Sequence, residues 1–183
     1  MAIQEAIQSM FDFIGEDRNR EGLIDTPKRI MQSWSHIFGG YKMDPTMILE
    51  SAIFKEGVCD EMVVLKNVEF YSMCEHHFLP FFGHISIGYI PNNKFVGISK
   101  LARLVEVYSR RLQIQENMTS QIADTIMEVL QPKGVMVIVH ARHMCMKMRG
   151  VEKQDSVMIT SAVRGLFKSD HRTREEFMGH IRG

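Results

Sequence analysis

A chain of 183 residues, 45% apolar and 24% charged, has the composition of an ordinary globular protein and is long enough to bury a substantial core. Its 22 Lys+Arg balance its 22 Asp+Glu, so no global field draws nucleic acid or a membrane, and an anionic ligand needs a local basic cluster. Three cysteines without scaffold spacing argue against a disulfide framework. There is neither a leader-like N-terminus nor a run near the ~20 apolar residues that span a bilayer. A reducing cytoplasm is the expectation, and there thiols bind metal or do chemistry.

In chain order, Ile3, Ala6, Ile7, Met10, Phe11 and Ile14 are spaced for an amphipathic helix over residues 3–15. A polar loop follows, and Asp25-Thr26-Pro27 reads as a capped start to a helix that Gly39-Gly40 stops. Residues 41–56 suggest a short helix and a connection. Residues 61–73 and 84–90 read as strands, the second alternating Ile85, Ile87 and Tyr89 against His84, Ser86 and Gly88. Ser99 is expected to cap a helix with the stripe Leu101, Leu104, Val105 and Tyr108. After a break at residues 112–116, a further helix runs through Met118, Ile122, Ile126 and Val129 to Pro132. Residues 135–139 and 157–167 read as strands and 172–182 as a terminal helix. The expected class is α+β: a four-stranded antiparallel sheet with two helices packed on one face. Residues 1–50 form a helical N-terminal region and 51–183 the chemistry-bearing region of one compact domain. Two open sheet edges suggest sheet-to-sheet oligomerisation.

The densest chemistry lies in Cys74-Glu75-His76-His77. Cys74 and His77 stand three apart, and the best third donor is Cys145, in His143-Met144-Cys145-Met146-Lys147-Met148-Arg149. Together they make a soft S,N,S set suited to Zn²⁺, with a fourth position left for water. Read as a strand, residues 143–149 place His143, Cys145, Lys147 and Arg149 on one face and three methionines on the other. His76 and His143 are then proton carriers, and Glu75 can orient a ligand. A purely structural zinc, histidines paired with loop carbonyls, or a Cys74–Cys145 disulfide are the alternatives. Lys28, Arg29, Lys100, Arg103, Arg110, Arg111, Lys147 and Arg149 are candidates for holding a polyphosphate; taken singly, each is an ordinary surface charge. No Walker or GxGxxG pattern is present. Glu116, in the break, can accept two N–H bonds from a guanine edge, or simply belong to a helix cap. His36, His84, His140, His171 and His180 read as surface or core residues, and Cys59 as a plain thiol.

The segments Asp25-Thr26-Pro27-Lys28-Arg29, Ser72-Met73-Cys74-Glu75-His76-His77, Gly97-Ile98-Ser99-Lys100-Leu101-Ala102-Arg103, Tyr108-Ser109-Arg110-Arg111-Leu112-Gln113 and His143-Met144-Cys145-Met146 together resemble the GTP cyclohydrolase I family. The resemblance runs from Gly15-Glu16-Asp17 to the C-terminus, nearly the whole chain. It implies a tunnelling-type fold whose subunits close into barrels and stack as a homodecamer, with active sites at subunit interfaces. It implies zinc held by Cys74, His77 and Cys145. It also implies conversion of GTP and water to 7,8-dihydroneopterin triphosphate and formate, the first step of tetrahydrofolate and pterin biosynthesis. In that scheme zinc-activated water adds at C8, the imidazole ring opens and formate leaves. His76 and His143 match proton-transfer positions, and Ser99 and Gln115 match positions near ribose and base. Glu116 matches the guanine grip, and Lys100, Arg103 and Arg149 match triphosphate contacts. Arg29 matches a phosphate contact supplied by a neighbouring subunit. The alternative reading is a zinc-stabilised tunnelling-fold protein acting on another purine or pterin.

Overall fold

The computed structural model describes residues 2–55 and 60–182; Cys59 lies outside them. The chain forms two units, Met1–Gly39 and Gly40–Gly183. In the first, α1 (Ala2–Ile14) buries Ile7 and ends at Gly15, which takes φ 79°. Only glycine adopts that backbone without strain, and it lets the N–H of Glu16 return to the carbonyl of Phe11 at 2.9 Å. α2 (Thr26–Ile37) carries Pro27 in its first turn, as expected, but Asp25 does not cap it. The Asp25 carboxylate faces Arg29 instead, at 3.5 Å.

The second unit opens with α3 (Pro45–Glu50), capped by Asp44, which accepts from the N–H groups of Thr46 and Met47 at 2.8 and 3.2 Å. Then come β1 (Ile53–Phe54), β2 (Val63–Cys74), β3 (Pro80–Ile90), β4 (Phe95–Val96) and α4 (Ile98–Ser109). After them follow β5 (Leu112–Gln113), α5 (Gln115–Leu130), β6 (Gly134–His143), α6 (Met144–Lys147), β7 (Met158–Gly165), α7 (Leu166–Ser169) and α8 (His171–Arg182). β1 and β4 pair as a separate small ribbon, and the main sheet runs β5-β2-β3-β6-β7.

Its four long strands are antiparallel, as the alternation predicts, with His84 opposite His140 and Phe81 opposite His143. The expected four-stranded sheet is extended by β5, which adds parallel to the end of β2 through Met73↔Leu112 and Cys74↔Gln113. The sheet is therefore five-stranded and mixed. A two-residue strand has no periodicity to read, which is why residues 112–116 look like a plain break. A one-residue bulge between Leu65 and Val68 places Asn67 at φ 60°.

α4 lies against β2, and α5 against β6 and β7. Leu101, Leu104 and Val105 of α4 and Met118, Ile122 and Ile126 of α5 meet Phe70, Phe81, Ile85 and Ile87 of the sheet in one core. At 1.5–3 kcal/mol per fully buried large apolar side chain, this cluster is the main stabilising term. The hydroxyls of Tyr108 and Thr125, 2.6 Å apart, join α4 to α5 inside it. Beyond the two helices expected on one face, the second face is covered too: Phe167 and Phe177 of α7 and α8 pack on Ile90, Met136 and Ile138. Gly88 makes this possible: a Cβ there would come within 2.5 Å of the Phe177 ring.

One further expectation fails. β6 ends at His143, and Met144–Lys147 is a helical turn closed by the Met148 N–H to the Met144 carbonyl at 2.9 Å. The alternation of functional groups and methionines along residues 143–149 therefore does not exist. Met, Lys and Arg are good helix formers, and no β-branched residue there favours the strand.

Candidate active site

Cys74 closes β2 where the chain must reverse toward β3. Its N–H donates to the Leu79 carbonyl and its carbonyl accepts from the Phe78 N–H, each at 2.8 Å, with Phe78 at φ 55°. The N–H of Glu75 donates to the Gln113 carbonyl at 3.1 Å, so β5 anchors the loop. This tight loop brings His77 Nδ1 to 3.9 Å from Cys74 Sγ. The helical turn of α6 supplies Cys145 from the other side. One donor atom from each of Cys74, His77 and Cys145 lies within 4.8 Å of the others.

Tetrahedral donors at zinc distances of ~2.0–2.3 Å stand about 3.5–3.8 Å apart. A contraction of about an ångström closes the set, and thiolate and imidazole suit zinc, so these residues fit the ion. Burial, and then the neighbouring Cys74, push the Cys145 thiol above its ordinary pKa. Two thiols this close resist a second negative charge, which a cation between them would relieve.

Beside the donors sits His143. Its ring lies face to face with Phe81, centroids 4.6 Å apart and 3° from parallel, and its Nε2 is 2.7 Å from Gln115 Oε1. Burial lowers its pKa, opposed by the field of Glu116, so the ring favours the neutral form that accepts a proton. Gln115 is 1% exposed at the start of α5. Its amide nitrogen donates to the carbonyls of Val139 and Met158 at 3.2 and 3.1 Å.

These groups share a cleft of about 360 Å³ lined by Cys74, His76, His77, Gln115, Glu116, His143 and Cys145. Ile114, Met146, Val157 and Met158 give it apolar walls. The cleft thus combines a cation-ready donor set, two further imidazoles, an exposed carboxylate and apolar surface. Such a set can hold a metal ion and place proton-accepting groups beside it.

Five residues of the predicted site do not line the cleft. Ser99, Lys100 and Arg103 stand on the first turns of α4, Ser99 and Arg103 exposed. Ser99 is no cap, because the helix starts at Ile98 after Gly97. Arg149 reaches the donor set from outside, with Nη1 3.1 Å from His77 Nε2. Arg29 belongs to the N-terminal unit, on α2. Arg110 is paired with Glu106 at 2.8 Å, and Arg111 donates to the Gly40 carbonyl at 2.9 Å with Tyr41 and Tyr108 beside it. Those two cations serve the fold. Sequence reasoning missed Phe81, whose cross-strand register with His143 is the signal that could have found it. It also missed Thr119 and Thr160 behind Gln115, for which no local signal exists.

With fold and cleft defined, comparison with known proteins is direct. The family model for GTP cyclohydrolase I matches residues 3–182. GTP cyclohydrolase 1 of Wolinella succinogenes is 72% identical over 182 residues, covering 100% of this chain and 97% of that protein. GTP cyclohydrolase 1 of Helicobacter pylori strain J99 is 56% identical over 176 residues, 96% of this chain and 97% of that protein. Among solved structures, the apo crystal structure of the archaeosine synthase QueF-Like covers 60% of this chain and 97% of its own. Its TM-score is 0.47 and its identity 19%. The fold and site define an α+β protein whose cleft holds a Cys-His-Cys group able to bind a metal ion. The chain belongs to the GTP cyclohydrolase I family and is an enzyme of that family.

Proposed function

We propose that this enzyme converts GTP and water to 7,8-dihydroneopterin triphosphate and formate, with zinc held by Cys74, His77 and Cys145. The observation that carries the reading is the convergence of these three donors with His143 and Glu116 in one cleft, in a chain 72% identical to a GTP cyclohydrolase 1 over its whole length. When bound, zinc supplies Lewis-acid polarisation and makes water acidic near neutral pH.

The protein residues account for the rest. Glu116 accepts N–H groups of the guanine edge and so sets the base in the cleft. His143, half-buried and favouring the neutral form, takes and returns protons at the ring being opened. His76, on the cleft wall, is the second proton carrier, exchanging with solvent. Gln115 and Ser99 orient base and ribose. Lys100, Arg103 and Arg149 hold the triphosphate, with Arg149 free to leave His77 for an anionic partner. Arg29 contributes from a neighbouring subunit. Because Ser99, Lys100 and Arg103 lie outside the cleft lining, this reading requires a substrate that extends beyond it.

The assembly we propose is a barrel-forming, tunnelling-type homodecamer, acting in the cytoplasm on the tetrahydrofolate and pterin route. Among the described residues no helix is long and apolar enough to cross a membrane. Incubating zinc-loaded protein with GTP while following formate and dihydropterin absorbance tests the reaction. His143→Ala that keeps its zinc but loses turnover, beside Cys145→Ser that loses both, supports the assignment. A wild type that binds GTP and releases nothing overturns it.

A further inference from the structure

Behind the cleft, a closed chain of hydrogen bonds has only one possible direction. Thr119 Oγ1 lies 2.6 Å from the backbone carbonyl of Gln115, and a carbonyl only accepts, so the Thr119 proton is spent there. The contact between the Thr119 and Thr160 hydroxyls, 2.7 Å long, must then be donated by Thr160. That leaves lone pairs of Thr160 Oγ1 facing the Gln115 side-chain nitrogen at 3.1 Å. The same nitrogen faces the carbonyls of Val139 and Met158. All three neighbours accept, so the amide cannot be flipped. Its oxygen is committed to the far side, where it meets His143 Nε2 at 2.7 Å.

An amide oxygen only accepts. We infer that Thr119 and Thr160 are positioning residues that, together with the carbonyls of Val139 and Met158, hold the Gln115 amide in place and so fix the proton of His143 on Nε2, leaving Nδ1 unprotonated in the neutral ring. Neither threonine lines the cleft itself; both reach it only through Gln115. Core packing alone does not need a hydroxyl at either place, since valine has nearly the same shape as threonine. The two residues come from α5 and the edge strand β7, so the arrangement exists only once the helix has docked on the sheet. With Phe81 stacked on the ring, both the plane of His143 and its tautomer are set before substrate arrives. Such second partners of a working histidine decide which nitrogen is available.

The inference builds on the proton-transfer role proposed for His143, but its test has a readout that does not depend on turnover. Zinc-loaded wild type, Thr160→Val and Thr160→Ser, with Thr119→Val as a second probe, would be labelled with ¹⁵N in the histidine rings. The His143 signals would be assigned by their loss in His143→Asn. Wild type and Thr160→Ser are expected to show Nε2–H alone, and the two valine variants a mixture of tautomers. With GTP, the valine variants are expected to lose about tenfold in kcat at nearly unchanged KM, a part of the 10²–10⁴ that proton transfer contributes. Thr160→Ser should recover it. Valine variants that keep the single Nε2–H tautomer overturn the inference whatever their activity. So does a serine variant as disturbed as the valine one, which would mark a packing role. A wild type with the expected tautomer but no formate release fails the proposed function and leaves the hydroxyl brace standing.

Discussion

Phe81 and His143 sit opposite each other across β3 and β6, their rings 4.6 Å apart and 3° from parallel. Phe81 is 0% exposed and belongs to the core, while His143 lines the cleft, so the packed interior directly sets the plane of a cleft imidazole. Phe81→Leu removes the stack but keeps most of the volume. It is expected to cost about 1 kcal/mol of stability, the size of an aromatic pair beyond its area. It should lower turnover without loss of zinc, and urea unfolding beside a metal count checks both.

Cys145 reaches the donor set only through the helical turn of α6. Cys145→Ser replaces a soft thiolate by a hard, weakly acidic hydroxyl. The variant should hold zinc at least about tenfold more weakly, read by competition with a chromophoric chelator. Unchanged zinc affinity would remove Cys145 from the ligand set.

Glu116 stands in the first turn of α5, exposed and on the cleft wall. Glu116→Gln replaces one acceptor oxygen by a donor. Hydrogen bonds to a charged group contribute about 1.5–3 kcal/mol, so kcat/KM for GTP should fall about 10- to 100-fold. Steady-state kinetics on the folded variant would show it.

Much of this was legible in the chain. Period-2 alternation in residues 84–90 and the helical stripes around Leu101 and Ile122 gave the α+β class and the core face. The spacing of Cys74 and His77 gave a local donor pair, and the structure brings Cys145 to it. What failed did so for identifiable reasons. Three alternating methionines imitate a strand in residues 143–149, where propensity favours a helical turn. Asp25 finds Arg29 before it finds a backbone N–H. The cover on the second face depends on Gly88, whose missing side chain leaves no hydrophobic signal. The partners of Gln115 lie 4 and 45 residues away, and only docking of α5 on β7 brings them together.

That second face offers its own test. A Cβ on Gly88 would sit 2.5 Å from the Phe177 ring, so Gly88→Ala overpacks the seam beneath α8. The expected cost is about 1–3 kcal/mol. Faster hydrogen exchange confined largely to α8 would locate it there.

Asp170 precedes α8 and grips Arg172 by side chain and backbone, at 2.7 Å to Nη2 and 2.9 Å to N–H. The Arg172 side chain, foremost, holds its carboxyl at about 2, against an ordinary 3.8. As pH falls the unfolded chain takes up this proton first, so the stabilisation is complete above about 3.8 and lost toward about 2. The stability gap between wild type and Asp170→Asn should therefore narrow across that window and stay constant above it. Denaturant midpoints across the acid range check the sign.

The central claim is tested most directly by formate. Purified, zinc-loaded protein given GTP should release one formate for each dihydropterin triphosphate formed. Both signals should stop when the zinc is chelated and return when it is restored. GTP bound without formate, or formate released at the same rate by metal-free protein, would contradict the account.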